Sequence, residues 1–171
     1  MACSNITAGV LNGCSSNNGG LDAIFIANGK VESITEAAGL VSAITVGGSA
    51  LVPADFFKFE IPRQTSSITE TATGDISQGT VVYLQTAIMV LNQLQASTRD
   101  QLKLMFEATD MVVVALDNNG KYWSIGLERG AYGVTATTTS GVAYADRSGY
   151  EISIEGQESS PMFEITGSIV E

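Results

Sequence analysis

Two short motifs have the composition of ligand-binding loops. Residues 126–133, GLERGAYG, are rich in glycine, and residues 117–120, DNNG, carry the side-chain oxygens that Ca²⁺ prefers. A phosphate-binding loop must lead into a helix N-terminus, and no helix pattern follows the first motif, so we interpret it as an ordinary loop. A calcium loop needs regular ligand spacing and a closing glutamate, which the second motif lacks. It predicts a β-hairpin turn instead.

Catalytic signatures are equally sparse. The chain has no histidine, which excludes a Ser-His or Cys-His pair. The sequence leaves open a Ser-Lys pair, or two glycosidase-like carboxylates among its 18 acidic residues, but no motif indicates either. Tyr122 and Trp123 have the rings to stack on a sugar or a base, although core or cross-strand packing is their commoner role. We expect no enzyme and no cofactor.

The two cysteines, Cys3 and Cys14, form no CxxC pattern and have no histidine beside them, so we expect no metal site. Two cysteines are also too few for a disulfide framework. A reduced cytosol is the expected compartment, and the sequence leaves open whether the two residues pair.

The charge balance argues against nucleic-acid recognition. Lysine and arginine total 8 against 18 acidic residues, giving a net charge of −10, and such a chain repels phosphate backbones. The start MACSNITAGV lacks the basic and apolar regions of a secretory signal. No apolar run approaches the roughly 20 residues that cross a bilayer. We expect a soluble protein that stays in the cell that makes it.

The chain length suits a single domain. Residues 1–20 are small and polar and predict an N-terminal arm, which leaves residues 21–171 as one β-domain. Asn119-Gly120 favours a tight hairpin turn because both residues tolerate positive φ. Residues 129–149 predict a long Gly/Thr-rich connection. Alternating or β-branched patterns predict strands at 21–29 and 40–46, a hairpin over 111–128, and a closing strand pair at 149–156 and 162–170.

Residues 55–93 predict a long β-hairpin, with two apolar stretches flanking a polar loop near 65–79. Pro62 marks an edge or a bulge in the first strand. In the second strand we expect Val82, Leu84, Ile88 and Val90 to form the core face. The opposite face, which includes Gln85, is semi-polar and predicts a second contact surface such as a neighbouring subunit.

Residues 97–108 predict the one helix, with Thr98 and Gln101 as a capping box and Leu102, Met105 and Phe106 on its core face. The expected fold is therefore mainly β, an antiparallel β-sandwich or barrel with a long β-hairpin and one α-helix.

This order of elements resembles the tail tube (major tail protein) family of tailed bacteriophages. Several stretches are also similar to structural proteins of phages that infect Bacteroidetes: the MACSNIT start, NGKYWSIGLERG and GVAYADRSGYEISIEGQESSPMFEI. The resemblance covers most of the chain, and its motifs are structural. The step to function rests on the order of elements, which is analogy.

The resemblance implies a virion protein, made in the bacterial cytoplasm, whose copies form stacked, hexameric rings around a channel for DNA. It implies partners in itself and in other tail proteins (sheath, tape measure, terminator or baseplate), with no specific DNA binding and no membrane. The implied lumen-facing residues are Glu60, Glu70 and Gln85, and the implied contacts between subunits or rings are Thr69, Thr71, Gly74, Asp75, Tyr132 and Arg147.

Other functions remain open at this point. One is another phage structural role, such as capsid decoration or a head–tail connector or stopper, since β-domains with extended arms also serve there. Another is a carbohydrate-binding β-sandwich that uses Tyr122 and Trp123. The sequence does not distinguish contractile from non-contractile tails.

Overall fold

The computed structural model describes residues 8–10, 17–75 and 77–171. It confirms a mainly β fold, but the large, mostly antiparallel sheet stays open and does not close into a barrel. The described residues contain one α-helix, α1 (Ala96–Glu107), and 3-10 turns at Pro53–Asp55 and Gly167–Ile169. The strands are β1 (Leu21–Asn28), β2 (Val31–Ala37), β3 (Leu40–Val46), β4 (Ser49–Ala50), β5 (Phe57–Glu60), β6 (Ser67–Asp75), β7 (Thr80–Asn92), β8 (Met111–Asp117), β9 (Tyr122–Ile125), β10 (Ala131–Thr139), β11 (Gly149–Glu158) and β12 (Glu164–Ile165).

Strands β1 and β8 pair antiparallel through the middle of the molecule. Both are apolar at consecutive positions, and a strand with that pattern is buried on both faces. Ile24 and Val113 enter one hydrophobic core, whereas Phe25 and Val114 enter a second core on the opposite side. These four side chains are at most 3% exposed. The β1–β8 pair is therefore a wall shared by two cores.

The first core lies between this wall and a layer of strands in the order β10-β11-β7-β6. Helix α1 packs against β10, where the Phe106 ring lies so close to Gly133 that an added Cβ would stand 3.0 Å from it. The core side chains of this layer and helix are Ala87, Met89, Leu91, Leu102, Met105, Ala131, Tyr150, Ile152 and Ile154.

The second core lies between the wall and the β2–β3 hairpin. Strand β12 pairs in parallel with β3 and antiparallel with β9, so these two residues join the hairpin to the rest of the sheet. Residues beyond β12 complete this core, since Ile169 and Val170 are each only 4% exposed.

The predicted hairpin over 55–93 is too long. Strand β5 pairs with β1, and only β6 and β7 form the hairpin. The segment 65–79 is mostly strand β6 and not a loop, because Thr and Ser have the β-branched or small side chains that an edge strand accepts. The predicted faces of β7 are wrong over most of the strand: Gln85, Ala87 and Met89 are buried, while Val82 and Ile88 are 42% and 37% exposed. Val90 is buried as predicted, at 2% exposed.

Two further strand predictions are wrong. The expected connection 129–149 contains β10, whose Thr-rich sequence extends the sheet beside β11. The segments 149–156 and 162–170 do not pair with each other. Strand β11 lies between β7 and β10, and β12 lies in the other half of the sheet. The Asn119-Gly120 hairpin between β8 and β9 is confirmed, with positive φ at Gly120 only.

The predicted helix is confirmed to within one residue at each end. Its predicted capping box is wrong, because Gln95 is the N-cap residue and no side-chain cap forms there. Leu102 and Met105 are buried as predicted, and Phe106 remains 36% exposed at the margin of the core.

We expect Leu102→Ala to lower the free energy of unfolding by about 2–5 kcal/mol, because the truncation empties space in a packed core. The matched control is Leu104→Ala on the same helix, where the side chain is 57% exposed. That variant should change stability by less than about 0.5 kcal/mol. Urea titrations measure both values, and equal losses would contradict the observed orientation of the helix.

Candidate assembly surface

The sheet β10-β11-β7-β6 presents one face to solvent. Cross-strand partners point to the same side of a sheet, and the registers align Thr69, Thr86, Glu155 and Tyr132 in one row across all four strands. The other rows on this face add Thr71, Thr73, Val82, Leu84, Ile88, Glu151, Ser153, Gln157, Thr135 and Thr137. We call this set the outer face. It is built of hydroxyl, apolar and carboxylate side chains.

None of these four strands contains a lysine or an arginine. Glu155 accepts no hydrogen bond within the described residues, whereas Glu151 pairs with Arg147 at 3.0 Å. Arg147 lies in the loop before β11, so the cation reaches the face only at one end. The outer face therefore carries two carboxylates, one of them paired with Arg147, and no cation from its own strands.

Both lateral edges of this layer lack strand partners along most of their length. Strand β6 pairs only with β7, and among the described residues β10 pairs on its second edge only through Ala131 with Met111. Unpaired edges expose backbone N–H and C=O groups that can pair with another chain. Neither edge has a proline or a lysine to block such pairing.

Strand β6 is also exposed on both sides near the hairpin tip, where residues 71–75 are all exposed. The tip is ordered by Asp75, whose carboxylate accepts hydrogen bonds from Ser77 N at 2.8 Å, Ser77 Oγ at 2.6 Å and Gln78 N at 3.2 Å. These bonds hold the pKa of Asp75 below its usual value. Asp75, Ser77 and Gln78 are thus held in one arrangement at the described part of the tip.

The structure separates the residues predicted to line a channel. Glu60 is exposed on β5, opposite Ala23, and does not belong to this layer. Glu70 is partly buried on the side of the sheet opposite the outer face. Gln85 is only 2% exposed, so the prediction that it lines a channel is wrong. The sequence pattern around Gln85 correctly predicted a strand but assigned Gln85 to the wrong face. An amide side chain suggests exposure in the sequence even when it is buried in the fold.

The side chain of Gln85 can be buried because each of its polar atoms has a hydrogen-bond partner. Its Nε2 donates to Glu70 Oε2 at 3.4 Å and to the Ser160 carbonyl at 3.3 Å, and its Oε1 accepts from Gly126 N at 3.2 Å. Glu70 also accepts from Met162 N. Buried polar groups are tolerated when they are hydrogen-bonded in this way.

The predicted contact residues do share parts of this layer. Thr69, Thr71 and Tyr132 lie on the outer face, and Gly74 and Asp75 lie at the hairpin tip. Arg147 lies at the opposite end of the layer, next to Gly149, which pairs with Asn92. Residues 1–7 and 11–16 of the predicted arm, with both cysteines, lie outside the described residues.

Sequence reasoning missed a pair of glutamates beside Gln85. The Glu158 carboxylate accepts from Glu128 N and Arg129 N, each at 3.1 Å. The Glu128 carboxylate accepts from Ser159 N, Ser159 Oγ and Ser160 Oγ at 3.2, 2.6 and 2.7 Å. Each glutamate thus binds the segment that carries the other, and we call them the crossed carboxylate pair.

The two carboxyls titrate in opposite senses. Burial raises the pKa of Glu158, and the charge of Glu128 raises it further, against the opposing amide bonds and the charge of Arg129. Partial burial also disfavours the charge on Glu128, but its serine hydrogen bonds outweigh that cost and its pKa is lowered. Both oxygens of each carboxylate accept hydrogen bonds from the chain itself, which is typical of a structural role.

The loop between β10 and β11 presents Val142 and Tyr144, both fully exposed. It is nevertheless ordered, because Asp146 Oδ2 accepts from Val142 N and Ala143 N, each at 2.8 Å. These bonds lower the pKa of Asp146. The two side chains are therefore free to contact another molecule.

Trp123 lines a cleft of about 280 Å³ with residues 17–21 and the β8–β9 turn. Its Nε1 donates to Asp117 at 3.3 Å, and Asp117 also accepts from Asn119 N and Lys121 N at 2.8 Å. Asn119 in turn bonds the Asn18 backbone through both side-chain atoms. These polar groups are already satisfied within the described residues, so the cleft offers a sugar hydroxyl few partners.

A larger cleft of about 660 Å³ lies between residues 58–62, the end of β7 and the start of α1. No three metal-ligating side chains converge in the described part of the chain. Within the same residues no helix has the length and apolar character needed to span a membrane.

No protein-family model, curated protein or solved structure matches the chain.

The crossed carboxylate pair predicts a dependence of stability on pH. Because the folded pKa of Glu158 is raised, its burial penalty is present at pH 8 and disappears as the pH falls through that pKa. Glu128 has a lowered pKa, so the stability that its charged form contributes is lost only as the pH falls below 4.5, the ordinary pKa of a glutamate. We expect the melting temperature to rise from pH 8 toward about 5 and to fall at lower pH.

The test compares Glu158→Gln with Glu155→Gln, a partly buried position on the outer face of the same strand. Glu158→Gln should flatten the rise between pH 8 and 5, because the buried group no longer titrates. Glu155→Gln should keep the wild-type profile. Identical profiles for the two variants would refute the assignment.

Proposed function

We propose that the chain is a structural subunit of a phage tail tube, which assembles into stacked, six-membered rings around a channel for DNA. The observation that carries this proposal is the layer β10-β11-β7-β6. It combines two opposite edges, each without a strand partner along most of its length, with an exposed face whose strands contain no lysine or arginine.

The geometry supports a head-to-tail contact. Pairing of the β6 edge of one copy with the β10 edge of the next joins two different surfaces, and such a contact forms a ring when its rotation closes. The open sheet of each copy then becomes part of a continuous inner wall. The exposed hairpin tip and the loop with Val142 and Tyr144 lie at opposite ends of the layer, where rings would stack.

In this arrangement the outer face lines the channel. Its carboxylates Glu151 and Glu155 replace the predicted Gln85, and Glu60 lies on another part of the subunit. An acidic wall repels DNA phosphates and limits adhesion during passage. Only groups within about 8 Å of the DNA act on it at physiological salt, so the charge of this face matters more than the net charge of −10.

The proposed place is the virion tail, after synthesis in the bacterial cytoplasm. Partners would be further copies of the chain and other tail proteins, such as sheath, tape measure, terminator or baseplate proteins. The subunit performs no catalysis and carries no cofactor in this role.

Electron microscopy of the purified protein across a concentration series is the direct test. Hollow tubes or stacked rings are the expected result. Monodisperse monomers, followed by binding to added purified capsids, would instead assign the chain to capsid decoration.

The β6 edge provides a sharper prediction. Thr71→Lys together with Thr73→Lys should abolish tubes and rings, because lysines on an edge strand block pairing with another chain. Both side chains are exposed, so the monomer should stay folded by circular dichroism. Thr109→Lys, at an exposed position after α1, is the matched control and should assemble normally. Normal tubes from the double variant would contradict edge pairing.

A further inference from the structure

The β2–β3 hairpin joins the sheet through a very small strand. Strand β12 has two residues, and Glu164 and Ile165 pair with Leu40 and Val41 on one side and with β9 on the other. Backbone hydrogen bonds on the β3 side run from Glu164 N to Gly39 O at 3.2 Å and from Thr166 N to Val41 O at 3.0 Å. Separating β12 from β3 breaks few hydrogen bonds, so it costs less free energy than separating β1 from β8.

The groove that receives this segment is deep and apolar. Ile165, Ile169 and Val170 are at most 4% exposed and pack in the second core. Gly167 lies against the Tyr122 ring, where an added Cβ would stand 3.0 Å from it. Residues 163–170 are therefore matched to the groove in shape as well as in apolarity.

Strand β11 ends at Glu158, which still pairs with Tyr83 of β7, and side-chain hydrogen bonds hold the chain between that residue and Met162. The crossed carboxylate pair holds residues 158–160 to the turn before β10, Gln85 holds the Ser160 carbonyl, and Glu70 holds Met162 N. Loss of the Glu128 carboxylate removes three of these bonds at once. Further bonds hold the segment itself, between Phe163 and Ser124 and between Lys121 and Glu164, so Glu128 controls only the part of the chain that precedes it.

We propose that the groove between β3 and β9 is a strand-acceptor site that takes residues 163–170 of a second copy in place of its own. The occupant is fixed by the structure, since the same sequence already fits the groove. Exchange of an identical element between copies is a low-cost route to association, because every native contact is made again. Glu128 and Glu158 set how often the groove becomes available.

The inference does not depend on the proposed tube. Edge pairing through β6 and exchange through the groove use different surfaces. A variant that fails in one can still succeed in the other, so the two experiments fail separately.

The test uses a fluorescein-labelled peptide of residues 160–171 and the full chain. We expect Glu128→Gln to take up the peptide at least about tenfold faster than wild type, because charge-assisted hydrogen bonds to the serines are lost. Glu155→Gln, on the exposed face, should behave as wild type. Fluorescence anisotropy follows uptake, and Trp123, the only tryptophan, reports from β9 opposite Glu164.

A peptide with Ile165→Glu is the specificity control and should not bind, since it places a charge in the apolar groove. Uptake of both peptides at equal rates, or equal rates for the Glu128→Gln and Glu155→Gln proteins, would overturn the proposal. So would the absence of uptake by every protein.

Hydrogen exchange of the wild-type chain tests the same opening without any variant. The amides of Glu164 and Thr166 should exchange at least about tenfold faster than those of Ile24 and Val113. Exchange of all four amides at one common rate would show that the groove opens only on global unfolding and would refute the acceptor site.

Discussion

The structure depends on the burial of β1 and β8 on both faces. Their consecutive apolar side chains cannot be satisfied by one layer, so strands must cover the pair from two sides. The layer with β7 and β11 covers one face and the β2–β3 hairpin covers the other. This requirement explains why a chain of one-domain length builds two cores and leaves its sheet open.

The same constraint determines which surfaces stay free. The layer β10-β11-β7-β6 uses its inner face for the first core. Among the described residues its β6 edge pairs with no further strand, and its β10 edge pairs with β8 only through Ala131. A protein that remained a monomer would gain from blocking such edges with charge or proline. Threonine and serine side chains leave them available, which is the physical reason for favouring an assembly role.

Polar groups connect the two cores where apolar packing ends. Gln85, Glu70, Glu128 and Glu158 meet around the chain that crosses from β11 to β12. Their oxygens accept from backbone amides or serine hydroxyls, and Glu70 also accepts from Gln85 Nε2. Such a network fixes one path for the crossing segment, because a partly satisfied alternative would leave charges buried without partners. The stability of this network depends on four side chains, whereas the stability of the β1–β8 pair is distributed over many contacts.

The sequence by itself determined the mainly β class, helix α1, the apolar run of β8 and the Asn119-Gly120 hairpin, because these follow from local periodicity and turn chemistry. The alternation of polar and apolar residues in YEISIEGQE also indicates that Glu151 and Glu155 lie on the same face of β11. Only the tertiary structure decided that β5 pairs with β1, that the face with Gln85 is the buried one, and that Glu128 meets Glu158. Those outcomes depend on partners about thirty or more residues away, such as the 30 residues between Glu128 and Glu158. A polar residue in sequence shows that it needs a partner, and the folded chain alone shows whether that partner is water or another part of the protein.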